Sequence, residues 1–377
     1  MIRQKAKIII WILISILVIS GCWDMVEIDK RLFVAILGVD TSDEEGKYTF
    51  YYCFPIARQI AGGEAGGGGG GQHPVGTATT VAHSVINGAE NLALRLNRHL
   101  YFELMRTVVI SEKVARKDLR TIIDPLSRDT EFNRRSRFAI CQGDIKKVIE
   151  VTPWVEQLTS DYFESLYEDT GMTGKFIESD LGEFLRTINI LNGNALVSKI
   201  KPDKTEVNIG GAAVIKDYRM VGWLDEEETQ GVNMFLGRLK GGNIIVEDPD
   251  NYGVVTFSII SERSKLSLKA REPIPKFNLQ VSIEGDVKGI THGTLISLED
   301  SLEIQELVSK AVKEQILKGT TKIKDVYKVD LLKLGDHLRK YEPKLWEEYE
   351  ENWDDMLPDI GIDVNVHTTI RNIGVIR

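Results

Sequence analysis

Chemistry in this chain points first to a single thiol. Cys22 follows Ser20 and Gly21 at the end of the apolar run WILISILVIS, and Arg3, Lys5 and Lys7 precede that run. A basic start, a short apolar core and small residues before a cut site describe a secretory leader. The core is about half of the roughly 20 residues that a spanning helix requires. A cysteine directly after Ser-Gly is the pattern of a bacterial lipobox, with Ile19 standing where leucine is most frequent. The expected chemistry is S-diacylglycerol transfer to Cys22, cleavage before it, and N-acylation of the new terminus. Each buried methylene is worth about 0.8 kcal/mol and one chain holds only marginally, so the two chains of a diacylglyceryl group give stable attachment without a spanning helix. An uncleaved anchor helix is the alternative reading of these residues.

The other reactive residue types form no catalytic or metal-binding pattern. The six histidines (His73, His83, His99, His292, His337 and His367) make no His-x-x-x-His pair, and none lies beside a Cys pair, so metal-ligand spacing is absent. There is no Gly-x-Ser-x-Gly elbow. The run GGEAGGGGGGQHPVG lacks the Lys-Ser/Thr that a phosphate-binding loop needs and reads as a flexible surface excursion over residues 61–76. Acidic pairs such as Glu226-Glu227 and Glu347-Glu348 read as solvated helix faces rather than tuned acid–base pairs. Trp346, Tyr349 and Trp353 step by three and four and read as the packing face of a helix, not a ligand cage. No cofactor, metal site or catalytic residue is expected, so the chain is read as a non-enzyme.

Bulk properties agree. Of 377 residues, 42% are hydrophobic and 27% charged, an ordinary globular balance with room for about two domains. A formal net charge of -9 argues against nucleic acid, which draws Lys/Arg stripes, and against electrostatic docking on anionic lipid, which needs clustered cations. Cys53 and Cys141 sit in apolar runs, as buried thiols do. A disulfide between them is the other reading.

Periodicity places the elements. Strands are expected at Arg31–Asp40, Lys47–Phe54, Thr107–Ser111, Arg137–Cys141 and Ala195–Ile200. Helices are expected at Thr80–Arg98, at Glu112–Leu126, from Gly143-Asp144 through Glu150, and over most of Val155–Ile190. After the polar break Lys201–Lys204 come a hairpin (Val207–Lys216 with Met220–Leu224), a helix over Asp225–Leu239 and a β-meander (Val254–Leu268, Phe277–Val287). A long helix then opens on a Ser297/Asp300 capping box and stops at Gly319, followed by helical stretches Lys328–Tyr341 and Pro343–Trp353 and a strand at Asp363–Ile370. Strands and helices mix without strict alternation, which makes the fold class α+β. The expected organisation is a lipoprotein signal peptide at 1–21, an N-terminal α+β domain at 22–200 and a C-terminal α+β domain at 205–377.

Five segments in order resemble the Ger(x)C family, the lipoprotein C subunits of spore germinant receptors. They are CWDMVEIDKRLFVAILGVD; the glycine run before PVGTATTVAHSVINGAENL; HLYFELMRTVVISEKVARKDL with PLSRDTEF and RRSRFAICQGD; GGAAVIKDYRMVGWLDEEETQGVNMFLGRLKGGNI; and DLLKLGDHLRKYEPKLWEEYEENWDDMLPDIGIDVNVHTTIRNIG. The resemblance implies a lipid-anchored subunit, acylated at Cys22, on the outer face of the spore inner membrane. It implies multispan membrane A and B subunits as partners, and small-molecule germinants such as amino acids or sugars as triggers. Within that role the soluble body is expected to be an interaction scaffold. The rival readings are a lipid-anchored solute-binding protein that captures germinant, with two similar lobes around a cleft, and a cell-wall enzyme, for which no positioned Glu is evident.

Overall fold

The computed structural model describes Trp11 and residues 30–56, 75–154, 156–170, 173–292 and 298–372. Cys22, Ser297 and most of the glycine-rich stretch lie outside them, and with them the lipidation, capping-box and surface-loop expectations. No described helix is long and apolar enough to cross a membrane.

The first lobe is built on an eight-stranded sheet. Strands β2 (Ile36–Thr41), β3 (Tyr48–Pro55), β4 (Val75–Ala82), β6 (Thr107–Ser111), β7 (Arg137–Cys141), β8 (Ala195–Asp203), β9 (Glu206–Lys216) and β10 (Arg219–Leu224) take the order β10-β9-β8-β7-β6-β2-β3-β4. The central four, β2, β6, β7 and β8, are parallel to one another, and both flanks are antiparallel. Parallel strands have both faces covered and read as continuous apolar runs. TVVIS of β6 is such a run: Val108 and Ile110 enter one core layer and Val109 the other.

Helices α1 (Val85–Leu96), α2 (Glu112–Lys117), α3 (Arg120–Arg128) and α6 (Leu181–Ile190) pack on the first layer. Helices α4 (Ile145–Ile149) and α5 (Thr159–Thr170) pack on the second. A short parallel pair, β1 (Arg31–Phe33) with β5 (His99–Tyr101), sits at the amino ends of the central strands.

The second lobe is a four-stranded sheet, β11 (Gly242–Asp248), β12 (Gly253–Ala270), β13 (Lys276–Ile290) and β14 (Gly361–Asn372), in that order, with β13 and β14 parallel. Helix α8 (Leu298–Thr321) covers its inner face. The chain continues as a π-helical turn over Lys322–Val326, then α9 (Leu334–Tyr341), α10 (Pro343–Tyr349) and α11 (Trp353–Met356). Helix α7 (Glu226–Phe235) lies between the two sheets.

The structure bears out the mixed α+β class and corrects several elements. Thr80, Val81 and Ala82 are strand, not helix. They pair with Tyr48–Phe50, and the helix starts only after Ser84, whose Oγ accepts from Asn87 N at 3.2 Å. Glu112–Leu126 is two helices, broken where Asp118 turns extended. The strand expected at Arg31–Asp40 is two, β1 and β2, broken at Val34-Ala35, and β5 and β11 escape periodicity because they are short or edge strands. The polar stretch at Lys201–Lys204 is no break: Lys201, Pro202 and Asp203 end β8 and pair with Asn208, Val207 and Glu206, Lys204 opens the turn of the β8–β9 hairpin, and β9 and β10 complete the first sheet before the chain enters the second. Cys53 on β3 and Cys141 on β7 are separate free thiols. β2 and β6 lie between their strands, a separation of about 14 Å at ~4.8 Å per strand, twice the reach of a disulfide.

Gly319 does not stop the long helix. A Cβ there would lie 2.3 Å from the Glu228 carbonyl oxygen on α7, and one on Gly231 of α7 would lie 2.1 Å from the Gln315 carbonyl oxygen on α8. The two glycines let the helix backbones touch. In Gly319→Ala the helix-propensity gain of about 1 kcal/mol is outweighed by a clash with backbone. We expect a net loss of about 1–3 kcal/mol in urea unfolding. Gly289→Ala, with open space around it, is expected to stay within about 0.5 kcal/mol of the parent.

Candidate functional site

Helix α7 forms the seam between the lobes and is nearly buried throughout. Its first turn is closed by a capping box. Asp225 Oδ1 accepts from Glu228 N at 2.8 Å, and Glu228 Oε2 accepts from Asp225 N at 2.7 Å. Glu228 is buried and is neutralised by Lys322 from beyond α8, at 2.9 and 2.7 Å to its two oxygens. Glu227 stays exposed and meets Lys318 at 3.2 Å.

The buried amides of α7 reach the other lobe. Asn233 Nδ2 donates to the carbonyls of Gly174 (2.8 Å) and Phe176 (2.9 Å), and Gln230 Nε2 donates to Thr173 O at 2.8 Å. Gln315 of α8 in turn donates to Gln230 Oε1 at 3.1 Å. On the far side, Tyr327 Oη donates to Trp223 O at 2.9 Å and Lys216 Nζ to Lys328 O at 2.6 Å. The apolar core runs through the seam without interruption, from Leu196, Ala212 and Val214 of the first sheet to Phe257 and Leu279 of the second. A cavity near the seam, lined by Ile177, Leu236 and Lys333 among others, has about 30 Å³, room for a water or two.

A larger cleft, of about 410 Å³, opens at the amino ends of the central strands, beside β1. Arg106, Arg135 and Arg137 line it with Glu103, Asp161 and Glu164, over apolar surface from Phe33, Leu104 and Leu158. Arg106 pairs with Glu164 and, at 3.4 Å, with Asp161. Arg137 lies over the Tyr167 ring at 5.3 Å and reaches Glu178 at 3.8 Å. Arg135 and Glu103 are exposed. Balanced charges around apolar floor suit a small polar molecule or a polar protein segment.

Residues singled out in the sequence divide by place. Burial pushes the thiols of Cys53 and Cys141 up to about 12, which leaves them unreactive. Trp353 is buried and Trp346 meets it edge-on at 5.2 Å, so that helix face packs a core as expected. The described histidines remain apart: His83 contacts Gly46 O and His337 the rings of Phe277 and Tyr341. Among the described residues no group of His, Cys, Asp or Glu could hold a metal ion. Sequence reading missed the seam amides. Their signal is Gln230 and Asn233 set among Gly231, Val232, Met234 and Phe235, polar groups where a helix has no solvent face.

Comparison with known proteins covers most of the chain. Residues 24–202 match the family described as "Spore germination protein N-terminal domain", and residues 210–374 match "Spore germination B3/ GerAC like, C-terminal". Among curated proteins of Bacillus subtilis (strain 168), spore germination protein KC is 24% identical over 395 residues, covering 99% of this chain and 97% of that protein. Spore germination protein A3 is 24% identical, with 97% of each covered. The crystal structure of the GerBC protein superposes with a TM-score of 0.60 at 18% identity, over 89% of this chain and 97% of that one. The fold is therefore shared.

One titration at the seam is open to measurement. Glu262 of β12 is bonded to Ser264, whose hydroxyl also bonds Met234 O of α7 at 2.6 Å, and its Oε2 is buried without a partner. A single hydroxyl proton cannot serve both acceptors, whereas a protonated Glu262 can donate to Ser264. Burial pushes this carboxyl up to about 7, above the ~4.3 of an unfolded chain. The native state thus holds the extra proton, and the stability from this group is complete below about pH 4 and lost as pH rises through about 7. Between pH 5 and pH 8 the parent is expected to lose about 1–2 kcal/mol relative to Glu262→Gln, after discount for its partial exposure. Parallel denaturant curves for the two proteins at both pH values would refute the assignment.

Proposed function

Because the chain belongs to the spore germination GerAC-like family, we propose that it serves spore germination as the lipid-anchored C subunit of a germinant receptor. In this reading Cys22 carries the S-diacylglycerol and N-acyl groups at the outer face of the spore inner membrane. The body is a non-catalytic scaffold for the multispan A and B subunits. Confinement by the tether raises its effective concentration beside them. The observation that supports scaffold over solute trap is the filled seam. A two-lobed trap closes about a cleft between similar lobes, whereas here the lobes are unlike and share one core through α7.

Fatty-acid labelling followed by capture of the protein from spore membranes tests this reading. Wild type is expected to take up label and to bring multispan membrane proteins with it, and Cys22→Ala is expected to do neither. Equal labelling of both would end the anchor. Normal nutrient-triggered germination in a strain lacking this gene and its close paralogues would end the role.

The cleft beside β1 favours a second reading, direct capture of a small germinant. Calorimetry with amino acids and sugars separates the two. The scaffold reading expects no saturable heat. Saturable binding that Arg106→Ala weakens tenfold or more would establish capture.

A further inference from the structure

Parallel pairing of β1 with β5 sets Arg31 opposite His99. The chain therefore leaves the first lobe, toward residue 22, beside the turn that joins α1 to β5. Lys30 is eight residue steps from Cys22, and even fully extended these span no more than about 28 Å. Whatever holds Cys22 holds this turn near it.

The turn is unlike the surface around it. Leu94 is 88% exposed and Leu96 36%, and Arg95, Arg98 and His99 are exposed with them. Asn97, at φ 51°, closes the helix and fixes the turn, and its N–H bonds Ala93 O. Arg95 is held by a 2.9 Å bond to Thr79 O, and Arg31 lies 4.7 Å over the Tyr101 ring. The whole chain carries -9, but the segment Leu94–His99 contains no carboxylate. The nearest along the chain are Glu90, one turn back on α1, and Glu103, past the far end of β5. Leucines flanked by arginines at a fixed turn match the depth profile of a bilayer interface, apolar inward and cationic at the phosphates.

We propose that the turn Leu94–His99 is a membrane-contact surface, resting on the anionic bilayer to which acylated Cys22 is anchored. Leu94 and Leu96 enter the headgroup layer, and Arg95 and Arg98 meet lipid phosphates. This rests on the anchor reading above and adds to it an orientation. The β1–β5 end faces the lipid, and the second sheet, which adjoins the β8–β10 side of the first, lies away from the tether.

The test uses the full-length acylated protein in phosphatidylglycerol vesicles and in phosphatidylcholine vesicles, with an environment-sensitive probe on Leu94→Cys or, as control, on Ile245→Cys, an exposed position of β11. Neutral acrylamide reports water access. On phosphatidylglycerol, access at position 94 is expected to fall at least threefold while access at 245 is unchanged. Arg98→Glu is expected to restore access, since each arginine near an anionic surface is worth about fivefold in partitioning. Equal access at 94 and 245 in the vesicle-bound protein overturns the proposal, even with the anchor intact. Shielding seen in native membranes but not in protein-free vesicles assigns the turn to a protein partner and overturns it too. Mass analysis of Cys22 in the same preparation reads the anchor separately: an unmodified thiol there removes the anchor and this surface with it.

Discussion

Backbone contact between α7 and α8 is the constraint from which the rest of the architecture follows. Gly231 and Gly319 each face a carbonyl oxygen of the other helix, at distances that leave no room for a methyl group. Helices with ordinary side chains at the contact stand 8–10 Å apart, and an extra ångström here would matter. Gln230 and Asn233 flank Gly231 and bond carbonyls at Thr173, Gly174 and Phe176 with little slack. Moving the helix would strand buried amides, each at a cost of about 1–3 kcal/mol. The close approach is thus tied to the polar satisfaction of the seam, and both depend on two residues that have no side chain.

The same contact explains how two unlike sheets share one core. Successive residues of a strand face opposite layers. In β9 this sends Ala213 and Ile215 toward the first lobe's helices and Ala212 and Val214 toward the second lobe. The flank of the first sheet is therefore covered by the second lobe instead of by a helix of its own. Neither lobe is closed without the other at this face. A core continuous across a seam resists hinge opening, because opening would expose apolar area worth about 25 cal/mol per Å². That is the physical ground for regarding the body as one unit.

Most reactive side chains of the described body are committed to its structure. The thiols of Cys53 and Cys141 are buried, the described histidines are separate, and the acidic first turn of α7 is spent on capping and on Lys318 and Lys322. What the body offers is surface: a mixed-charge cleft and a basic leucine turn, both at the β1–β5 end. The sequence argued against cation clusters because its overall charge is negative. Arg31 and Arg98, 67 positions apart, become neighbours only through strand pairing.

Local pattern alone determined a good deal. The buried run of β6, the Asp144-capped helix α4, the alternating strands of the second sheet and the Trp346–Trp353 face are all written in neighbouring residues. The mixed α+β class followed from their order. Only the tertiary structure decided that Thr80–Ala82 is strand, that Gly319 is a contact and not a stop, and that Lys201–Lys204 lies within a hairpin of one sheet. The reason is common to all three. Periodicity reports that a segment is covered, whereas the identity of its cover is settled by partners such as Gln230 and Thr173, 57 residues apart, or Gly319 and Glu228 across two helices, whose match no local window contains.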